Sequence, residues 1–248
     1  MTSEAAGTDV AGTDVAGTDV GGIDVVQQIR SALAQVGDPE RAAGQQRYMK
    51  SAMPYRGLTS AELKHGLRPI LRGWTPTTRA EWEGDVRSLW DDAAYREERY
   101  AALALVKDRK AHLWLDVDVL PLLRHLIVTG AWWDLVDDVS THPLRDALIA
   151  DRARIDPVMR AWAVDEDLWL RRASVLCQVN SKSALDTDLL LFAVEANVTD
   201  SSFWLRKAIG WALRDHAHTD PEWVRAQVDR LGDRLSGLSR REATKHLS

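Results

Sequence analysis

Trp133 and Asp137 stand four residues apart in Ala131-Trp132-Trp133-Asp134-Leu135-Val136-Asp137-Asp138. A helix there presents an indole and a carboxylate one turn apart on a single face. An indole flank beside a carboxylate suits a cationic ligand. Asp134 and Asp138 are the competing acids, but Asp134 is the immediate neighbour of Trp133 and points about 100° away from it on a helix, so Asp137 is the favoured candidate. For all three, the alternative is a solvated surface acid. Two later segments repeat the theme of tryptophan beside cations: Trp169-Leu170-Arg171-Arg172-Ala173, and Trp204-Leu205-Arg206-Lys207-Ala208-Ile209-Gly210-Trp211. Together the three suggest one aromatic groove of mixed charge.

Something must bring these segments onto one surface, and their spacing indicates what. Trp133, Trp169 and Trp204 recur at about 35 residues, a period typical of stacked helix pairs of the HEAT, armadillo or TPR kind. Arg99-Tyr100-Ala101 reads as a weaker copy two periods before Arg171. One helix of each unit then lines a concave binding face. Any one of these tryptophans is as readily a core ridge of its repeat as a wall of the groove.

Apolar periodicity supports an all-α chain. Ile23, Val26, Ile29, Leu33 and Val36 recur at steps of three or four, and Gly37-Asp38-Pro39 ends the run. Further helical windows fall at about 40–50, 59–71, 78–92, 94–107, 118–129, 131–138, 151–163, 166–178, 185–195, 203–217 and 221–230, separated by Pro, Gly, Asp or Thr. No period-two strand stands out. Ser239-Arg240-Arg241-Glu242 behind Leu238 has the form of a capping box with a staple residue, predicting a last short helix that starts there. Its Arg240, Arg241 and Lys245 form a basic patch, suited either to phosphate or simply to a helix C-terminus. Residues 6–20 are three copies of Ala-Gly-Thr-Asp-Val, too thinly apolar for a core. We expect residues 1–22 to be a disordered acidic tail and 23–248 to be one domain.

The chain has 248 residues, is 45% hydrophobic and carries a net charge of −5, enough for a substantial core. The acidic balance argues against a nucleic-acid partner only superficially. Glu4, Asp9, Asp14 and Asp19 sit in a tail without Lys or Arg, which leaves the rest nearly neutral against all 32 basic residues. A neutral body can still gather its cations on one face. The one cysteine, Cys177, excludes an internal disulfide and reads as a buried core thiol. His112, His125, His142, His216 and His218 show no ligand spacing and read as surface or satisfied groups. Asp116 and Asp118 suggest a polar helix boundary. No apolar run is long enough to span a membrane, and no signal core appears, so a cytoplasmic protein is expected.

The chain resembles the AlkD-type DNA alkylation repair proteins, HEAT-like-repeat DNA glycosylases that excise positively charged alkylpurines. The segments that carry the resemblance are Tyr48-Met49-Lys50 with Pro54-Tyr55-Arg56-Gly57-Leu58, Trp132 to Asp137, Trp169 to Arg172, Arg206 to Arg214, Thr219 to Trp223, and Leu238 to Ala243. They run in the family's order from about residue 23 onward. The resemblance implies a superhelical stack of antiparallel helix pairs, with the catalytic carboxylate at Asp137, site tryptophans at Trp133 and Trp211, a DNA-contacting arginine at Arg172 and a further aromatic at Tyr48. Lys207, Arg240 and Arg241 complete the expected DNA-binding set. Tyr55-Arg56 departs from the more apolar pair expected there.

The resemblance further implies a monomer acting on duplex DNA that contains alkylated purines, with no metal or organic cofactor, the lesion staying in or near the base stack. The targets are 3-methyladenine and 7-methylguanine. The alternative is a non-catalytic helical-repeat scaffold that binds DNA or a protein. Convergence of Trp133, Asp137, Arg172 and Trp211 in one cation-walled cleft separates the two; a scaffold scatters them or buries both tryptophans.

Overall fold

The computed structural model describes residues 24–247, so the expected tail and its boundary lie outside the described residues. Fourteen α-helices and no strand occur among the described residues. They are α1 (Val25–Gln35), α2 (Pro39–Met49), α3 (Ser60–Gly73), α4 (Arg79–Asp91), α5 (Arg96–Val106), α6 (Leu120–Gly130), α7 (Trp133–Val139), α8 (Arg145–Ala150), α9 (Arg152–Ala163), α10 (Leu168–Leu176), α11 (Thr187–Asn197), α12 (Phe203–Ala217), α13 (Pro221–Leu231) and α14 (Gly237–Ala243).

Local chemistry sets most boundaries. Thr59 and Glu62 close a capping box on α3, as Thr78 and Glu81 do on α4. Asp38, Asp167, Asp186 and Asp220 accept from the first backbone N–H groups of α2, α10, α11 and α13. The last helix starts earlier than expected. Ser236, not Ser239, is its N-cap and accepts from Ser239 N–H. Ser239 lies inside α14 and donates its hydroxyl to the Arg206 carbonyl, a tertiary contact that outweighs the local box.

Helices pack in antiparallel pairs, α4 with α5, α6 with α7, α9 with α10 and α12 with α13, and the pairs stack into a superhelix. One layer runs α5, α7, α10, α12, with α14 closing the end against α12. The interior forms two apolar clusters, one running from α1 to Leu189 of α11 and the other from the end of α9 to α14. α10 and its C-cap feed both: Leu170, Ala173 and the C-cap Cys177 belong to the first, Val175 and Leu176 to the second. Cys177 is fully buried and donates to the Ser174 carbonyl, and burial pushes its thiol up to about 12.

Two glycines permit close approaches that no other residue allows. Gly57 has φ +89, and a Cβ there would overlap the Asp38 carbonyl oxygen. The backbone N–H groups of Arg56, Gly57 and Leu58 around it all donate to the buried Glu97 carboxylate, which fixes this turn despite the polar Tyr55-Arg56 pair. Arg56 itself pairs with Glu98 and lies over the Tyr95 ring. Gly210 lets α14 settle onto α12, since a Cβ there meets Glu242 Cβ at 2.5 Å and the Ser239 carbonyl oxygen at 2.9 Å. Gly210→Ala is therefore expected to destabilise the protein by about 1–3 kcal/mol, the usual cost of overpacking; an unchanged midpoint of urea denaturation refutes this.

Between α7 and α8 no helical window is expected from the sequence, yet the chain continues as a π turn over Ser140–Leu144. Pro143 has no N–H to donate, and Ser140 and Thr141 hydroxyls donate back to the Val136 and Asp137 carbonyls. π turns of this kind gather at functional sites, and this one begins three residues after Asp137.

Candidate active site

α7 begins two residues after Ala131, which holds φ +40 at the end of α6, with Trp132 as the N-cap between. That left-handed residue turns the chain so that Trp132 and Trp133 leave in different directions. Trp132 enters an aromatic cluster with Trp169 and Trp204, its ring centroid 6.2 Å and 5.3 Å from theirs. Trp169 and Trp204 are 5.7 Å apart, and the 55% exposed Phe203 stands edge-on to Trp204. The repeating aromatic of the α7 unit is thus Trp132; Trp133, which the 35-residue spacing singled out, faces the open groove instead.

That groove holds a cleft of about 560 Å³, whose walls include Trp132, Trp133, Asp137, Arg172, Trp204 and Trp211. Tyr48, 78% exposed at the end of α2, overhangs it. Trp133 and Trp211 are half-buried, each offering part of its ring to the cleft. The other lining cations are Lys50, Lys207, Arg214 and Lys245, against a single further acid, Glu242. Lys207 and Arg214 both pair with Glu242, and these cations hold its carboxyl below the usual range. Arg240 and Arg241 are not among the lining residues. Arg240 instead donates to the Gly232 carbonyl, and Arg241 is exposed elsewhere on α14.

Asp137 and Arg172 form the floor. Arg172 Nε donates to Asp137 Oδ1 at 2.7 Å and Nη2 to Oδ2 at 2.8 Å, while Nη1 donates to the Trp204 carbonyl. Arg172 is only 3% exposed, so it lies beneath the groove, whereas the resemblance implied an arginine in contact with DNA. Its guanidinium is spent on Asp137, the fork matching the carboxylate as such pairs do. Burial pushes the Asp137 carboxyl above its ordinary range, and the Arg172 charge opposes that rise. A carboxylate has about four acceptor positions; with two taken by Arg172, both oxygens keep capacity for a water or ligand atom in the cleft.

The neighbouring acids are committed elsewhere. Asp134 accepts from Arg96 and from the Tyr100 hydroxyl, which also meets the Tyr55 hydroxyl at 3.1 Å. Asp138 pairs with Lys107 and His142, and that acid raises the His142 pKa. Asp116 caps its own turn and binds Arg79. His125 pairs with Asp91. His216 departs from expectation: it is buried edge-on to Trp223 with neither ring nitrogen hydrogen-bonded, and burial lowers its pKa.

Sequence reasoning missed Trp132 and Phe203 as cleft residues and did not single out Lys50. Lys50 and Trp132 left a signal, since each lies in a segment that carries the resemblance; Phe203 left none.

Residues 29–247 match a protein-family model described as DNA alkylation repair enzyme. A solved structure of a predicted DNA alkylation repair enzyme from Enterococcus faecalis is similar, with a TM-score of 0.77 at 25% identity over 86% of this chain and 97% of that one. The Pseudomonas fluorescens alkylpurine DNA glycosylase AlkC, bound to DNA containing an abasic site analogue, gives a TM-score of 0.45 at 17% identity over 91% of this chain and 63% of that one. No curated protein matches the chain.

Proposed function

We propose, from the premise that the chain belongs to the DNA alkylation repair enzyme family, that it is a DNA glycosylase releasing cationic N3- and N7-alkylpurines from duplex DNA. The observation that carries this reading is the convergence of Trp133, Asp137 and Trp211 in one cation-rimmed cleft overhung by Tyr48. An alkylated ring nitrogen makes the purine cationic, so its glycosidic bond is weakened and the base leaves neutral. The bond's electron pair goes to the base, and positive charge appears on the deoxyribose. Asp137, fixed in place by Arg172, stabilises that oxocarbenium and orients the water that adds to the anomeric carbon; preorganised charge of this kind supplies much of the rate enhancement in many enzymes. Asp137 can take the water's proton as the new C–O bond forms.

Trp133 and Trp211 supply aromatic faces for the cationic lesion, about 0.5–2 kcal/mol each. Lys50, Lys207 and Lys245 line the cleft and are the cations we assign to the phosphate backbone, positioning the duplex without reading its sequence. Every step runs on side chains and water. Among the described residues no helix is long and apolar enough to cross a membrane, and no group of three or more His, Cys, Asp or Glu is placed to hold a metal.

The test is release of labelled base from duplex DNA. We expect 3-methyladenine and 7-methylguanine to be released and hypoxanthine or uracil to be retained, because Glu242, the cleft's other carboxyl, is held ionised by Lys207 and Arg214 and so is a poor donor to a neutral leaving base. Efficient uracil release contradicts the mechanism. Retention of every base with duplex binding intact assigns the cleft to a scaffold instead.

A further inference from the structure

Tyr48 and Trp133 belong to two clefts, and beyond them the groove widens into a second hollow of about 1650 Å³ between α3 and the 3-10 turn Arg109–Trp114. Its floor is apolar and anchored. Leu63, Leu67, Ile70 and Leu71 of α3 pack into the first core cluster, and Lys110 fastens the end of α3 by donating to the Leu71 and Trp74 carbonyls. The outer face of α3 carries Lys64, Arg68 and Arg72 at intervals of one turn, with Arg109 across from them, all exposed and all lining the hollow.

Most cations of the smaller cleft are paired, Arg172 with Asp137 and both Lys207 and Arg214 with Glu242, leaving Lys50 and Lys245 there without an ion pair among the described residues. Lys64, Arg68, Arg72 and Arg109 make no ion pair or hydrogen bond through their side chains with any described residue. Lys64, Arg68, Arg72, Lys107, Arg109 and Lys110 line the hollow against Glu97, Asp108, Asp134 and Asp138, so cations outnumber acids there and the unpaired ones bias its field positive. From Lys64 to Arg72 the stripe is about 12 Å long at the helical rise, enough for its three side chains to reach about two to three phosphates of one DNA strand.

We infer that Lys64, Arg68, Arg72 and Arg109 form a second phosphate-binding wall, holding the duplex that flanks the lesion on the α3 side of Tyr48 and Trp133. The inference rests on the reading of the smaller cleft as a DNA site. Because the wall lies away from Asp137, it acts on duplex whether or not a lesion is present. It also makes the footprint asymmetric, since the two flanks of the lesion meet different sets of cations.

The experiment is fluorescence-anisotropy binding of undamaged duplex at several salt concentrations, using the full chain and a Lys64→Gln/Arg68→Gln/Arg72→Gln variant. All three side chains are exposed, and a matching melting curve confirms that the variant is folded. The logarithmic salt slope should fall by about two to three, at roughly 0.9 for each phosphate no longer neutralised, with affinity at least about tenfold weaker at moderate salt. Arg124→Gln, an exposed arginine of α6 outside both clefts, should leave the slope unchanged. An unchanged slope in the triple variant overturns the inference, as does an equal change per charge in Arg124→Gln. Base release by a protein whose triple variant keeps its full slope removes the wall and leaves the glycosylase reading. Binding that depends on α3 without any base release does the reverse.

Discussion

Asp137→Asn is expected to reduce base excision by roughly a hundredfold or more, the scale on which removing one preorganised electrostatic partner slows an enzyme, while the folded variant still binds duplex. The substitution keeps the shape of the side chain and deletes the charge that opposes the sugar cation. It also leaves Arg172 buried without its counter-charge. Breaking such a pair from one side costs about 3–5 kcal/mol, so melting should fall by roughly 6–20 °C for a domain of this size. Excision is therefore compared at a temperature where circular dichroism shows both proteins folded. Wild-type activity in the folded variant removes Asp137 from the mechanism.

Arg172→Gln carries the second large effect, and it separates two roles for the arginine. As the partner that holds Asp137, Arg172 shapes the pH profile. Only ionised Asp137 stabilises the oxocarbenium, so excision falls as pH drops through the Asp137 pKa. Burial already raises that pKa, and Arg172 is the strongest influence lowering it. Its loss should move the acid edge of the kcat profile to higher pH and, because the carboxylate is no longer held in position, slow excision by about tenfold or more. Arg172→Lys should rescue poorly, because a point charge cannot reproduce the fork to both carboxylate oxygens. If Arg172 instead held a phosphate, the salt slope of duplex binding would drop by about one phosphate's worth and the acid edge would stay in place. Measuring both quantities on one preparation decides between the roles.

The contrast between these residues shows where sequence reasoning reaches. Apart from α8, which falls between the expected windows, the helices were legible because the forces that define them act within a turn or two: apolar residues at steps of three and four, Asp or Thr at N-caps, and the Asp220-Pro221 start of α13. Trp133 and Asp137 could be placed on one face for the same reason, and that pair does line the cleft. The recurrence of tryptophan at intervals of about 35 residues predicted the stacking of helix pairs, because equivalent helices in a stack meet equivalent neighbours.

Only the tertiary structure decided which of two adjacent tryptophans joins Trp169 and Trp204. The left-handed turn at Ala131 rotates Trp132 into the cluster and Trp133 out of it, a choice no periodicity encodes. Likewise Arg172 looks from the sequence like any cation beside a tryptophan, and its burial follows from α7 stacking on α10 to bring Asp137 within reach. The start of α14 at Ser236 depends on the Arg206 carbonyl that Ser239 finds on α12. The same limit hid the cations of α3. Sequence gives the number of charges, but whether each is neutralised depends on acids distant in the chain and on how much water the packing leaves around them.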